Sequence, residues 1–411
     1  MKNATYLLLG ASFLLLSCGD KSASNGNTAA NDTITENLPP VETNPKVTDL
    51  SPAFAGQTRI PGVRTETPYE ARIITKDLAK PWSVKSLPDG RLLITEKSGA
   101  MRIVSKDGDI GKPLAGLLPV DDKGQGGLLD VCLDPQFPTN RMIYWTFSET
   151  RPGGNLTAVA KGKLSTDENK IENATVIYRA IPVYDGDKHY GSRVVFDGKG
   201  NLYVSTGERS DMETRPLSQS LQSALGKVIR ITTDGKAASG NPSISQDALP
   251  EIYSYGHRNP QGLAIHPATG DLWLSEMGPK GGDEINLVAA GKNYGWPIIT
   301  YGVEYSGKTI GEGISQKEGM EQPVYYWDPV TSPSGMTFYS GGAMQEWDNN
   351  LFICGLSGQH IMRIVLENNR VVGEERLLEN EGERFRDITQ GTDGSLYAVT
   401  DSGRLYRISK K

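Results

Sequence analysis

Cysteine is nearly missing from this chain: three in 411 residues. Cys18 closes an N-terminal apolar run, which leaves Cys132 and Cys354 in the body. Two distant cysteines make neither a disulfide framework nor a thiolate metal site. Both are expected to be buried apolar fillers, with one long-range bridge as the lesser alternative. Histidine is just as scarce, at four, and no pair has HxxxH or HExxH spacing, so no zinc site is signalled. There is no GxSxG nucleophile elbow and no GxxxxGK[ST] phosphate loop. Lys and Arg total 43 against 49 Asp and Glu, and no basic block appears, which removes any general attraction to nucleic acid. Helical periodicity is also almost absent. The best helical candidate, RPLSQSLQSALGKV at 215–228, is short.

The one apolar run is MKNATYLLLGASFLLLSC. From Tyr6 to Leu16 it is too short to span a bilayer as a helix, and it reads as an export signal. Its LLSC ending resembles the bacterial lipoprotein cleavage box. That resemblance implies cleavage before Cys18, a lipid on that cysteine, and anchoring to the bacterial cell envelope. Residues 19–64 are rich in Asn, Thr and Pro and poor in large apolar side chains. Such a segment buries too little surface to offset its ordering entropy, so it is expected to be a disordered tether, with a reach of roughly 35–40 Å.

Residues 65–411 carry a recurring theme, a Gly- or Asn-containing turn followed by a β-branched and aromatic strand. It appears at PDGRLLITEKSGAMRIV, TNRMIYWTFSE, GKGNLYVSTGER, ATGDLWLSEMG, DNNLFICGLSGQHIMRIV and TDGSLYAVTDSGRLYRI. Six uneven repeats predict an all-β fold, a six-bladed β-propeller, rather than a two-sheet sandwich or several small β-domains. The widest gaps follow the third and fourth repeats and predict long loops there. Function is expected at the central axis, where loops of every blade converge.

Three groups of residues could carry chemistry. His189 precedes a strand in GDKHYGSRVVF, while His257 and His266 flank Arg258 and Asn259 in YSYGHRNPQGLAIHP. A lone loop histidine is either structural or a base. SEMGPKGGDEINLVAAGKNYGWP offers backbone carbonyls beside Asp283 and Glu284. That chemistry suits a hard cation such as calcium, and equally a solvated acidic turn. Arg384 and Arg386, two apart in GERFRDI, share one strand face. They suit a carboxylate or phosphate ligand, or salt bridges to the neighbouring glutamates.

Taken in order, LAKPWSVKSLPDGRLLITEKSGAMRIV, GQGGLLDVCLDPQF, HYGSRVVFDGKGNLYVSTGER, YGHRNPQGLAIHP, EMGPKGGDEINLVAAGKNYGWP, SPSGM and RFRD resemble the bacterial PQQ-dependent sugar dehydrogenases, from about Tyr69 to Ile408. TGER and ITYGVEYSG look like the aldose branch. The resemblance implies a propeller that binds pyrroloquinoline quinone (PQQ) and calcium at its axial face. By the same resemblance it would oxidise an aldose to a lactone by hydride transfer and pass electrons to an external acceptor. His189 would be the general base, with Arg258 beside the quinone and the sugar. Gln125, Asn259, Arg384 and Arg386 would contact the cofactor. The carbonyls of Gly278 and Pro279 would hold the catalytic calcium, and Glu284 with the Tyr294 carbonyl a structural one. His257 and His266 would be structural.

Three positions depart from the family. Ser357 stands where a cofactor-binding lysine is expected, Lys188 where the glucose enzyme has a sugar-contacting aspartate, and Val330 near a family threonine. An inward-pointing Lys188 would partly replace the missing cation and keep His189 neutral. Two other readings compete: a non-redox propeller lipoprotein that binds sugar or a partner without PQQ, and a propeller lactonase, which needs a metal on axial carboxylates.

Overall fold

The structure, a computed structural model, describes residues 38–411. Within them the chain forms six antiparallel sheets at 81–104, 128–179, 191–255, 260–327, 333–377 and 385–410, which we number as blades 1 to 6. The innermost strands of successive blades touch in a closed ring, blade 6 against blade 1, so the sheets form a six-bladed β-propeller. Strand Tyr69–Thr75 is the outer strand of blade 6, pairing with Leu405–Lys410. The two ends of the ring are therefore held by one sheet, which leaves no unpaired seam.

Each of the six sequence repeats includes the second strand of its blade. Those strands are buried along their length, as at Leu92–Glu96, Leu272–Glu276, Leu351–Gly355 and Leu396–Thr400. A second strand is covered by a blade on either face, so its side chains are apolar on both. The expected long loops are present at 207–226 and 233–251 in blade 3, and at 289–324 in blade 4. Cys132 and Cys354 are free and buried, in different clusters.

Beneath the axial face the ring is closed by charge. Arg193 reaches Asp387 at 2.9 Å and Asp130 at 3.3 Å, and Lys85 reaches the same two carboxylates at 3.3 and 3.4 Å. Burial works to raise the Asp130 carboxyl, but Lys85 and Arg193 hold it below its usual value. Arg193 also stacks on Trp82, 4.2 Å from the ring centre.

Two expectations change. Residues 38–64, expected to belong to the disordered tether, instead form a strap on blades 4 and 5. Pro61–Gly62 joins the outer strand of blade 5, Glu42 pairs with Arg376 at 2.7 Å, and Gln57 is fully buried. The strap is polar because hydrogen bonds hold it. Gln57 bonds Pro323, Tyr301 and the Tyr326 amide, and Val47 and Thr48 bond the Asp328 carboxylate at 2.9 and 3.1 Å. The leader, Cys18 and residues 19–37 lie outside the described residues. Second, 215–228 is not a helix. One 3-10 turn spans Arg215–Ser218, and strand Lys227–Thr232 follows. The buried Lys227 ammonium bonds the carbonyls of Leu217, Ser218 and Leu225 at 2.9, 2.9 and 2.6 Å. Carbonyls that a helix would spend on its own amides are spent on a lysine.

Candidate active site

A cavity of about 360 Å³ opens at the axial face. Gln125, His189, Arg258, Asn259, Gly278, Pro279, Arg384 and Arg386 all line it. The propeller thus gathers residues from four blades and their connecting loops that the chain spreads over more than 250 positions. Trp82, Lys97, Tyr305, Val330, Ser332 and Ser357 complete much of the wall.

His189 sits in the left-handed region (φ 48°), just before strand Gly191–Phe196. Gly207 makes that turn possible, because a Cβ there would overlap the His189 carbonyl. The His189 Nδ1 lies 2.6 Å from Glu208 Oε1, and the Glu208 side chain is almost completely buried. Burial, and then the Arg258 charge, push the imidazole down to about 4, while Glu208 works in the opposite direction. The ring is therefore neutral near pH 7. With Nδ1–H donated to Glu208, Nε2 carries the free lone pair. Gln125 adds a further constraint: its Oε1 accepts the His189 amide at 2.8 Å.

Glu208 was missed in the sequence, although pairing register could have found it. Gly191 pairs with Thr206 across blade 3. Two residues beyond that pair, in opposite directions, stand His189 and Glu208.

Arg258 is 6 % exposed and fixed on both sides. Its amide donates to Glu276 at 2.7 Å, and its Nη1 donates to the carbonyls of Met277 and Gly278 at 2.8 and 2.7 Å. Its Nε is buried without a partner. Asn259 accepts the Gly191 amide at 3.1 Å. Arg384 and Arg386 do share one face, but their partner is not a neighbouring glutamate. Both bind Asp401, at 2.9 and 2.8 Å.

Glu284 and Tyr294 stand apart from the main cavity. They line a void of about 10 Å³, about one water probe, that also touches Arg258, Gly278 and Pro279. Here Glu284 pairs directly with Glu276 across two strands. Burial, and then the Glu276 charge, push the Glu284 carboxyl well up. Asn286 donates to both carboxylates, at 3.0 and 3.2 Å, and its own Oδ1 is buried without a partner. The two opposed carboxylates, Glu276 and Glu284, both line this void and suit one divalent cation. Among the described residues no three His, Cys, Asp or Glu side chains converge as a metal cluster. A cation here relies on carbonyls as well.

His257 and His266 are structural. His257 is fully buried between Ser254, Glu276 and the stacked ring of Tyr294, and His266 accepts two turn amides. Ser357 lines the cavity and bonds Ser332 at 2.7 Å. Lys188 corrects an expectation. It is exposed, outside the cavity wall, and does not replace the missing lysine. The backbone of His189 turns inward, which leaves the preceding side chain outside.

Comparison with known proteins identifies the family of the chain and relatives of its fold. Residues 78–407 match the family model described as Glucose / Sorbosone dehydrogenase. The chain is 40% identical over 345 residues to the aldose sugar dehydrogenase YliI of Escherichia coli (strain K12), covering 82% of this chain and 92% of that protein. Among solved structures, the apo-form of the soluble aldose sugar dehydrogenase from Escherichia coli superposes with a TM-score of 0.80 at 39% identity, covering 84% of this chain and all of that one. The PQQ-bound aldose sugar dehydrogenase from Streptomyces coelicolor gives 0.69 at 29%, covering 84% and 99%.

Proposed function

The chain belongs to the Glucose / Sorbosone dehydrogenase family, and from that premise we propose that this sugar oxidoreductase oxidises aldoses at the anomeric carbon to lactones, using PQQ and calcium. The observation that carries the reading is the charge of the cavity. Lys97, Arg258, Arg384 and Arg386 line it, and no Asp or Glu does. A cavity of this size with four cations and no lining acid suits a small polyanion, and PQQ carries three carboxylates. When bound, PQQ supplies a two-electron oxidant and calcium a Lewis acid.

The residues present fit both groups. Arg384 and Arg386, aligned by Asp401, would hold cofactor carboxylates, and Arg258 and Asn259 would contact the same ligand from the facing wall. The carbonyls of Gly278 and Pro279 would hold calcium; the Gly278 oxygen gives one lone pair to Arg258 and has a second free for an ion. His189 takes the proton of the anomeric hydroxyl on Nε2, and Glu208 stabilises the imidazolium that forms. Gln125 keeps the base in place through its backbone amide. The exposed Tyr305 ring stands at the mouth, where an aromatic face packs against a flat or pyranose ligand.

The test is dye reduction by the apo-protein after addition of PQQ, calcium and an aldose, with His189→Ala inactive. A non-redox propeller would bind sugar without reducing the dye. From the sequence we further propose export and lipid attachment at Cys18. Cys18→Ala should then leave the protein unlipidated by mass spectrometry.

A further inference from the structure

Ser357 stands where the family resemblance implies a cofactor-binding lysine, and Lys188, exposed outside the cavity wall, does not supply that charge. Building on the quinone reading above, we propose that Lys97 fills that role and binds a carboxylate of the cofactor alongside Arg386. Lys97 is the first residue after the second strand of blade 1, Leu92–Glu96. The equivalent exit residues of blades 4 and 5, Met277 and Leu356, also line the cavity. The propeller therefore directs this position toward the axis, and only blade 1 among these three places a charge there.

The side chain is held. Its carbonyl accepts the Leu128 amide at 2.9 Å, and its ammonium donates to the Asp122 carbonyl. Gly127 lies against it so closely that a Cβ would overlap both the Lys97 carbonyl and its Cγ. Gly127, the last glycine of GQGG, thus packs Lys97 against the loop that presents Gln125. One of three ammonium protons is committed to Asp122, and two remain for a ligand. Burial lowers the Lys97 pKa, with Asp122 opposing and the charges of Lys80 and Arg386 adding to the fall. A bound carboxylate would relieve that repulsion. Asp401 is already shared by Arg384 and Arg386 and gives Lys97 no bond.

The experiment is titration of the calcium-loaded apo-protein with PQQ, followed by cofactor absorbance, on the unaltered chain, Lys97→Met, Lys97→Arg and Lys123→Met. Lys123 is an exposed neighbour outside the cavity. Losing a charge-assisted contact should raise the Kd of Lys97→Met roughly 10- to 150-fold. Lys97→Arg should stay within about threefold and Lys123→Met within about twofold, with melting temperatures unchanged. A Lys97→Met Kd within twofold of the unaltered protein overturns the assignment while the quinone reading stands. If the unaltered protein binds no PQQ, both fall.

Discussion

Replacing Glu208 with glutamine separates charge from shape at the base. Glutamine keeps an oxygen for His189 Nδ1–H, so the ring should hold its tautomer and the fold its stability. What is lost is the negative charge 2.6 Å from the imidazole. In the ground state His189 is neutral, because burial and Arg258 hold its pKa at about 4, so substrate binding should barely change. In the transition state the ring becomes cationic, and a hydrogen bond to a charged partner is worth about 1.5–3 kcal/mol. At about 1.36 kcal/mol per decade, kcat should fall roughly 10- to 150-fold with KM within about twofold. The sign of the pH effect follows from the same geometry. The base works deprotonated, so kcat/KM is full above its pKa and falls as pH drops through it, near 4 rather than at the ordinary 6.5. Glu208 raises that pKa, so the variant's acid limb should move lower still. Steady-state dye reduction between pH 3.5 and 8 (about the accessible range), with PQQ and calcium saturating, measures both. A Glu208→Gln enzyme within threefold of the parent would refute the assignment of the pair, and a parental acid limb near 6.5 would show that burial and Arg258 do not depress the base in the working enzyme.

Gly207→Ala would force a Cβ into the His189 carbonyl. It should abolish activity and lower the melting temperature, and a fully active alanine variant would show that the turn is not required. Chelation of calcium should lower the melting temperature of the parent by about 3–5 °C. In Glu284→Gln, which removes half of the opposed carboxylate pair, the shift should shrink to what the Gly278 and Pro279 carbonyls contribute; an undiminished shift would show that the carboxylate pair holds no ion. Thr48→Val removes a buried hydroxyl bonded to Asp328 and to the Tyr301 carbonyl. It should cost about 1 kcal/mol in urea unfolding, whereas a strap that contributed nothing would leave the midpoint unchanged.

Blade architecture was legible because second strands such as Leu92–Glu96 are apolar on both faces and begin at turn residues, a local signal repeated six times. The cavity residues were legible through motif order, since no local feature separates His189 from an ordinary loop histidine. What the sequence hid is non-local. Glu208 acquires a role only when Gly191 pairs with Thr206. The strap at 38–64 looks unstructured because its burial rests on Gln57, Thr48 and Arg59 bonds to blades 4 and 5 rather than on apolar area. Lys227 defeats a helix by taking carbonyls from 2 to 10 residues away. Lys97 and Lys188 are indistinguishable as sequence; one follows a second strand toward the axis, the other precedes an inward-turned histidine and points out.

The central claim is that the tetracationic cavity is a PQQ site. Titrating the purified apo-protein with PQQ, with and without calcium, tests it most directly. Saturable binding at micromolar PQQ or below, tightened by calcium, is expected, with dye reduction once an aldose is added. No binding at micromolar PQQ with calcium present would contradict it.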